Sequence, residues 1–261
     1  SNMSITEIAA ATGRPEKVIG YHFFNPAVLM KLVEVIRGAG SSDESIQIAY
    51  EIAKKINKAP MIVKKDSPGF IYNRVNIPNA ALLSKILEAG HPTPEEFDAA
   101  MKPFMLMAPF ELLDYVGLDI YVHSLEYMMR VLSPEYQPSA PLLALVKAGA
   151  LGKKTGRGIY DWSQGRPVID LSKATKEFDL NHMIALQVNE ATKLLEEDVA
   201  DDPGEIDLAM ANGGGSPFGP FILAQGIGYN VLLAKLEEIY NKFPLDIYKA
   251  TKTMREGNIK V

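Results

Sequence analysis

The run KVIGYHFFNPAVLMKLVEVI, residues 17–36, decides the fold. It holds two β-rich segments, Lys17 to Phe24 and Leu32 to Ile36, parted by the turn signal Asn25-Pro26, and reads as two successive strands. His22 stands at the end of the first strand, where side chains of an α/β sheet face a ligand crevice. Glu34 stands in the middle of the second, where a carboxylate among Leu32, Val33, Val35 and Ile36 is costly unless it is paired. The nearest partner is an imidazole on the adjacent strand, and a His/Glu pair is the standard means of orienting a general base and stabilising its protonated form. The competing reading is an outward-facing edge glutamate beside a structural histidine.

Outward from this pair, Ser41 and Glu44 form a capping box for a helix that carries Ile48/Ala49, Ile52/Ala53 and Ile56 at helical spacing on one face. A third strand, Pro60 to Lys64, follows. Strands alternating with a helix are a piece of an α/β unit, and three strands leave a sheet edge unpaired and half a core missing, so this start reads as truncated. From Asp66 the periodicity is helical. Ser67-Pro68-Gly69 opens a long helix, Phe70 to Glu88, kinked at Pro78 and stopped by Gly90 and His91-Pro92. Thr93, Pro94 and Glu96 form one helix-start set, and Asp202, Pro203 and Glu205 another. Superposing them aligns TPEEFDAAM, residues 93–101, with DPGEIDLAM, residues 202–210, at an offset of 109. Pro109-Phe110 then matches Pro220-Phe221 and Gly117 matches Gly228. A helical unit is used twice, with a linker at Ser163 to Val168, and each copy is expected to cover an apolar face of the other as subunits of a symmetric dimer do.

Composition narrows the function. With 27 Lys and Arg against 32 Asp and Glu, the net charge is -5 and no global basic field draws in nucleic acid or anionic lipid. No cysteine is present, which removes disulfides, thiolate nucleophiles and thiolate metal sites and suits a reducing cytoplasm. The best uncharged stretch for a membrane span, Pro217 to Ala234, is interrupted by Gln225, Asn230 and three glycines, so no membrane span is expected, and the N-terminus does not read as a signal peptide. Ser1-Asn2 ahead of Met3 reads as an expression scar. No metal site is expected, because no two histidines are spaced for one and Glu95-Glu96 and Glu196-Glu197-Asp198 read as solvated helix faces. His91, His123 and His182 are taken as structural. The glycines of residues 213–219 fit no phosphate-loop pattern and read as a helix stop and turn. Gly152-Lys153-Lys154-Thr155-Gly156 reads either as an exposed basic turn or as a loop whose lysines reach a phosphate.

HFFNPAVLMKLVEVI (22–36), DSPGFIYNR (66–74), PFELLDYVGLD (109–119) and GKKTGRGIY (152–160), in this order, resemble the 3-hydroxyacyl-CoA dehydrogenases over nearly the whole chain. The resemblance implies a mostly α protein. A remnant of a Rossmann-type α/β dinucleotide-binding domain spans residues 1–66, followed by two tandem all-helical units of the family's C-terminal type, residues 67–165 and 169–261. It implies NAD-dependent oxidation of 3-hydroxyacyl-CoA to 3-oxoacyl-CoA, as in fatty acid β-oxidation, in the cytoplasm. His22 is then the base that removes the 3-hydroxyl proton, Glu34 its orienting partner, Asn73 a substrate contact, and Asn25 and Lys154 contacts to NAD. The tandem members of the family imply a fused or associated enoyl-CoA hydratase and a second helical copy in place of a dimer partner. There are departures: no G-x-G-x-x-G turn precedes the first strand, Ala108 replaces a glycine, and the stretch after Met101 is short. Most of the NAD-binding domain is therefore expected to be missing and the chain inactive alone. The alternative is a CoA-ester-binding or assembly module without catalysis. A dehydrogenase for other acids fits the motifs around Asn73 and Lys154 less well.

Overall fold

A computed structural model describes residues 3–214 and 217–259; Ser1-Asn2, Gly215-Ser216 and the last two residues lie outside the described part, and with them the reading of Ser1-Asn2 as a scar. The chain forms two compact units. One comprises Ser1–Asn76, Ile184–Glu237 and Lys249–Val261, the other Ile77–Met183 and Glu238–Tyr248. These bounds differ from the sequence boundaries near 66 and 169, and the linker read at Ser163 to Val168 falls inside the second unit.

The first unit is built on strand β2 (Leu32–Ile36), whose five residues are all buried. It pairs antiparallel with β1 (Gly20–Phe23) and parallel with β3 (Ala59–Val63), giving the order β1-β2-β3. Alternation along the strand sends Val33 and Val35 to one face, where they meet Ile46, Ala49 and Ala53 of helix α2 (Asp43–Lys55). Leu32 and Ile36 go to the other, against Val63, Phe70, Ile71 and Val75 and against Ala191, Leu194, Ile206, Ala209 and Met210. Those last five belong to α8 (Leu180–Glu196) and α9 (Pro203–Gly214). A methyl group on Gly213 would lie 2.7 Å from the Tyr72 ring and 3.0 Å from Leu32, so α9 reaches the sheet only because it carries glycine there.

Several sequence expectations shift at this level. A short helix, α1 (Ile5–Ala10), precedes β1, and β1 begins at Gly20 because Pro15–Lys17 forms a 3-10 turn. The cap of α2 is Ser42, whose hydroxyl accepts from the Ser45 amide, whereas the Ser41 hydroxyl donates to the Val18 carbonyl and accepts from the Gly38 amide. The stripe Ile48, Ile52 and Ile56 is exposed, because the neighbouring stripe of Ile46, Ala49 and Ala53, with its small side chains, faces the sheet.

The second unit is helical. It is formed by α3 (Tyr72–Ala89) from Ile77 on, α4 (Pro94–Met101), α5 (Pro109–Val116), α6 (Leu118–Val131), α7 (Ala140–Lys147), the start of α8 and the end of α11 (Tyr229–Lys242). Pro78 lies inside α3, and Thr93 with Glu96 makes the expected capping box of α4. The first unit also holds α10 (Pro220–Ile227) and α12 (Lys252–Glu256).

The two aligned segments share a local device. Pro109 and Pro220 open α5 and α10 without an N–H of their own, and the next two amides need acceptors. Buried Asp98 accepts the Phe110 and Glu111 amides at 2.8 Å each, and Asp207, at the aligned position, accepts those of Phe221 and Ile222 at 2.8 Å each. Asp98 also takes the Tyr160 hydroxyl at 2.9 Å. Burial raises both carboxyls against these hydrogen bonds, Asp98 to about 7. Gly117 (φ 117°, ψ 125°) and Gly228 (φ 102°, ψ 127°), which end the two helices, share one left-handed conformation. Ala108 caps α5 at φ -71°, a value open to any residue, so the missing glycine costs nothing there; a side chain on its counterpart Gly219 would meet the Asp207 Cα at 2.2 Å. Replacing either aspartate with alanine strands two helix-start amides. Asp207→Ala is expected to lower stability by roughly 2–4 kcal/mol and Asp98→Ala by more, since Tyr160 loses its acceptor as well, both read from urea denaturation.

Candidate active site

The strand register places His22 directly across from Glu34. Their side chains meet, with His22 Nδ1 2.6 Å from Glu34 Oε2. Glu34 is fully buried, and its other oxygen, Oε1, accepts the Ile71 and Tyr72 amides at 3.0 Å each. These amides lie at the N-terminus of α3, where no intrahelical acceptor exists for them and the helix dipole favours an acid. The carboxylate thus joins β1, β2 and α3. A turn through Gly69 (φ 79°) and Phe70 (φ 57°) aims the amides, and this contact, across 37 residues, is absent from the sequence reading.

The imidazole is about one-fifth exposed, and its ring meets Phe24 edge-on at 4.7 Å and Phe70 at 5.5 Å between centroids. Phe24 in turn meets Tyr72 at 5.0 Å, and burial together with the Glu34 charge pushes the Tyr72 hydroxyl up. A carboxylate only accepts, so Nδ1–H donates to Glu34, and the lone pair of neutral His22 sits on Nε2. A half-buried imidazole held this way is a proton acceptor with one fixed direction.

Asn25 is exposed, three residues beyond His22, in a turn whose Asn25-Pro26 bond is cis. The loop that follows is pinned by Lys58, whose ammonium donates to the Ala27 carbonyl and, at 2.7 Å, to that of Met30. Asn73 is half-buried in the first turn of α3, next to the Tyr72 amide that binds Glu34. His22, Glu34, Asn25 and Asn73 therefore fall in one unit, and Lys154 in the other.

There, Gly152 to Trp162 wraps around buried Asp114, which accepts the Ile159 and Tyr160 amides and the Trp162 indole at 2.8 to 2.9 Å. A methyl on Gly152 or Gly158 would come within 2.1 Å of Asp114, which is why this loop needs its glycines. Lys154 Nζ lies 2.6 and 2.7 Å from the two oxygens of Asp119, whose carboxyl it holds below the usual range, and Lys153 Nζ sits 4.2 Å over the Tyr115 ring. His182 is buried between Asp179 at 3.0 Å and Glu238 at 2.9 Å, in keeping with a structural role.

Residues 1–67 match the family description 3-hydroxyacyl-CoA dehydrogenase, NAD binding domain, and residues 69–162 and 178–258 match 3-hydroxyacyl-CoA dehydrogenase, C-terminal domain. The chain belongs to the 3-hydroxyacyl-CoA dehydrogenase family. It is 43% identical over 167 residues to a probable 3-hydroxybutyryl-CoA dehydrogenase of Bacillus subtilis (strain 168), covering 63% of this chain and 58% of that protein. It is 34% identical over 263 residues to a fatty acid oxidation complex subunit alpha of Psychrobacter sp. (strain PRwf-1), covering 91% of this chain and 36% of that one. Among solved structures, the 3-hydroxybutyryl-CoA dehydrogenase of Escherichia coli K12 superposes with a TM-score of 0.86 at 26% identity, over 97% of this chain and 73% of that chain. The dehydrogenases are oxidoreductases, and the match at residues 1–67 gives NAD as the cofactor of this family's domain; it does not bear out the expectation that most of that domain is lacking. Among the described residues, no helix of this family member is long and apolar enough to cross a membrane.

Glu34→Gln keeps an acceptor for the Ile71 and Tyr72 amides and presents an NH2 to His22 Nδ1. The expected result is a folded protein whose imidazole switches tautomer to Nε2–H, seen as exchange of the two ring 15N shifts by NMR.

Proposed function

We propose that this protein interconverts 3-hydroxyacyl-CoA and 3-oxoacyl-CoA with NAD. The observation that carries the proposal is the His22–Glu34 pair, with a free acceptor on Nε2 and a buried carboxylate behind it. In the oxidative direction the 3-hydroxyl proton goes to His22 Nε2 while the C3 hydrogen leaves with its electron pair. Glu34 receives Nδ1–H throughout, stabilises the imidazolium and returns the ring to the same tautomer after the proton is lost. Asn73, beside the Glu34-binding turn, is assigned to hydrogen-bond the substrate near its reacting oxygen. The chemistry that NAD supplies when bound is hydride acceptance at the nicotinamide. Asn25, an exposed carboxamide close to the base, and Lys154, an ammonium 43% exposed beside Asp119, are donors of the kinds that a dinucleotide takes.

Two matches to the C-terminal domain, at 69–162 and 178–258, and the twin Asp98 and Asp207 caps support tandem helical copies, the second standing in for a dimer partner. Light scattering should then give a monomer near 28.6 kDa, and twice that mass would contradict the substitution. The likeness to fatty acid oxidation complex alpha subunits supports fatty acid β-oxidation and a fused or associated enoyl-CoA hydratase. Since no G-x-G-x-x-G turn occurs between residues 1 and 261, NAD binding by this stretch alone is expected to be weak. The test is acetoacetyl-CoA-dependent NADH oxidation by residues 1–261 and, should the gene encode a longer chain, by that chain in parallel. Turnover is expected in whichever of these holds NAD, with His22→Ala reducing kcat at least about 100-fold; turnover unaffected by His22→Ala would overturn the assignment.

A further inference from the structure

Glu34 is held by the Ile71 and Tyr72 amides, so the accuracy of the His22–Glu34 pair depends on the turn that aims them. That turn is strained. Phe70 is a bulky residue at φ 57°, a conformation that is unfavourable for it and persists only where the surroundings over-determine it. Both flanks of the turn are pinned. On the near side, Asp66 accepts the Ser4 hydroxyl at 2.6 Å and the Thr6 amide at 2.8 Å, tying the turn to α1.

On the far side stands Arg74, 2% exposed. Its amide donates to the Gly69 carbonyl at 3.1 Å, and its Nη1 donates to the Ser67 hydroxyl at 3.3 Å. The rest of the guanidinium is anchored on acids: Nε to Glu190 Oε1 at 2.5 Å and Nη2 to Glu197 Oε1 at 2.9 Å, with Lys193 Nζ 2.8 Å from the other Glu190 oxygen. Three donor edges of one rigid plane thus go to the turn, to Glu190 on α8 and to Glu197 just past the end of that helix. A buried ion pair of this kind is weak evidence for stability, because apolar residues of similar volume commonly serve as well or better; what it supplies is fixed geometry.

We infer that Arg74, clamped by Glu190 and Glu197, is a positioning residue for the His22–Glu34 pair, acting through the Ser67–Tyr72 turn. The inference rests on the proposed role of that pair. It gives α8 a part in the reaction that no contact with substrate or cofactor would reveal.

The test is histidine 15N NMR on this protein, with kcat and KM for acetoacetyl-CoA measured in the form that turns over. Glu34→Gln serves as reference. The variants are Arg74→Lys, which keeps the charge and loses the fork, and the double change Arg74→Met with Glu190→Met, which replaces the buried pair by apolar volume and is expected to fold even where Arg74→Lys does not. Positioning predicts that the double variant, folded by circular dichroism, loses or shifts the His22 Nδ1–H resonance. Its kcat should fall roughly tenfold or more with little change in KM. A folded double variant with the wild-type resonance and kcat overturns the inference and leaves Arg74 a packing residue. If Glu34→Gln itself leaves the His22 resonance unmoved, the pair is not coupled as proposed, and the failure lies in the reading of the site rather than in Arg74.

Discussion

Burying the Glu34 carboxylate is the constraint on which the first unit depends. Strand β2 is covered on both faces, and an acid on it has no access to water. It must find donors within the fold or cost several kcal/mol. One comes from the paired strand and two from the start of a helix that begins nearly forty residues later. From that requirement follow the left-handed turn at Gly69 and Phe70 and the set of α3 against the sheet. The aromatic run Phe24, Tyr72 and Phe70 then encloses the imidazole.

How far the sequence revealed this depended on how loud each signal was. An acid inside a five-residue apolar run is improbable unless paired, so β2 and a His22–Glu34 contact were legible, while the register that sets them directly opposite each other came from the structure. The second half of Glu34's environment was not, because nothing local in DSPGFIYNR says where the two helix-start amides point. Helix α2 was legible as a helix but not in its orientation. It carries two overlapping apolar stripes, and the small residues Ala49 and Ala53 beside Ile46, rather than the larger isoleucines, fit against Val33 and Val35. Helix α1, with six residues, is too short for its own periodicity to announce it, and it is held by Asp66 from outside.

The two aligned segments show what is shared between them and what differs. The aspartate that caps a proline-led helix recurs with the same two amide contacts, and the closing glycine recurs with the same dihedral angles. Around them the segments diverge: Asp98 gains Tyr160, Ala108 stands where Gly219 allows a close approach to Asp207, and Gly213 lets α9 lie on Tyr72 and Leu32. Sequence similarity follows the motif, whereas compactness follows packing. The unit bounds near 76 and 184 therefore need not coincide with the sequence boundaries near 66 and 169.

Six carboxylates are buried among the described residues, and their partners separate structure from chemistry. Asp98 and Asp207 hold helix-start amides, with Tyr160 added at Asp98, and Asp114 holds two loop amides and an indole. Glu111 binds Lys102, Arg166 and the Ala108 amide, and Glu190 binds Arg74 and Lys193. All of these donors keep their protons across the physiological range. Only Glu34 gives one oxygen to backbone and the other to an imidazole, the one partner in this set able to gain and lose a proton near neutrality. The buried His182 leans on Asp179 and Glu238, which are about half exposed. The acid that faces His22 is fully buried. It is this pairing of a buried acid with an imidazole that sets the His22 site apart from the helix caps, Asp98 included, whose own carboxyl burial raises to about 7 but whose partners are two amides and a phenol.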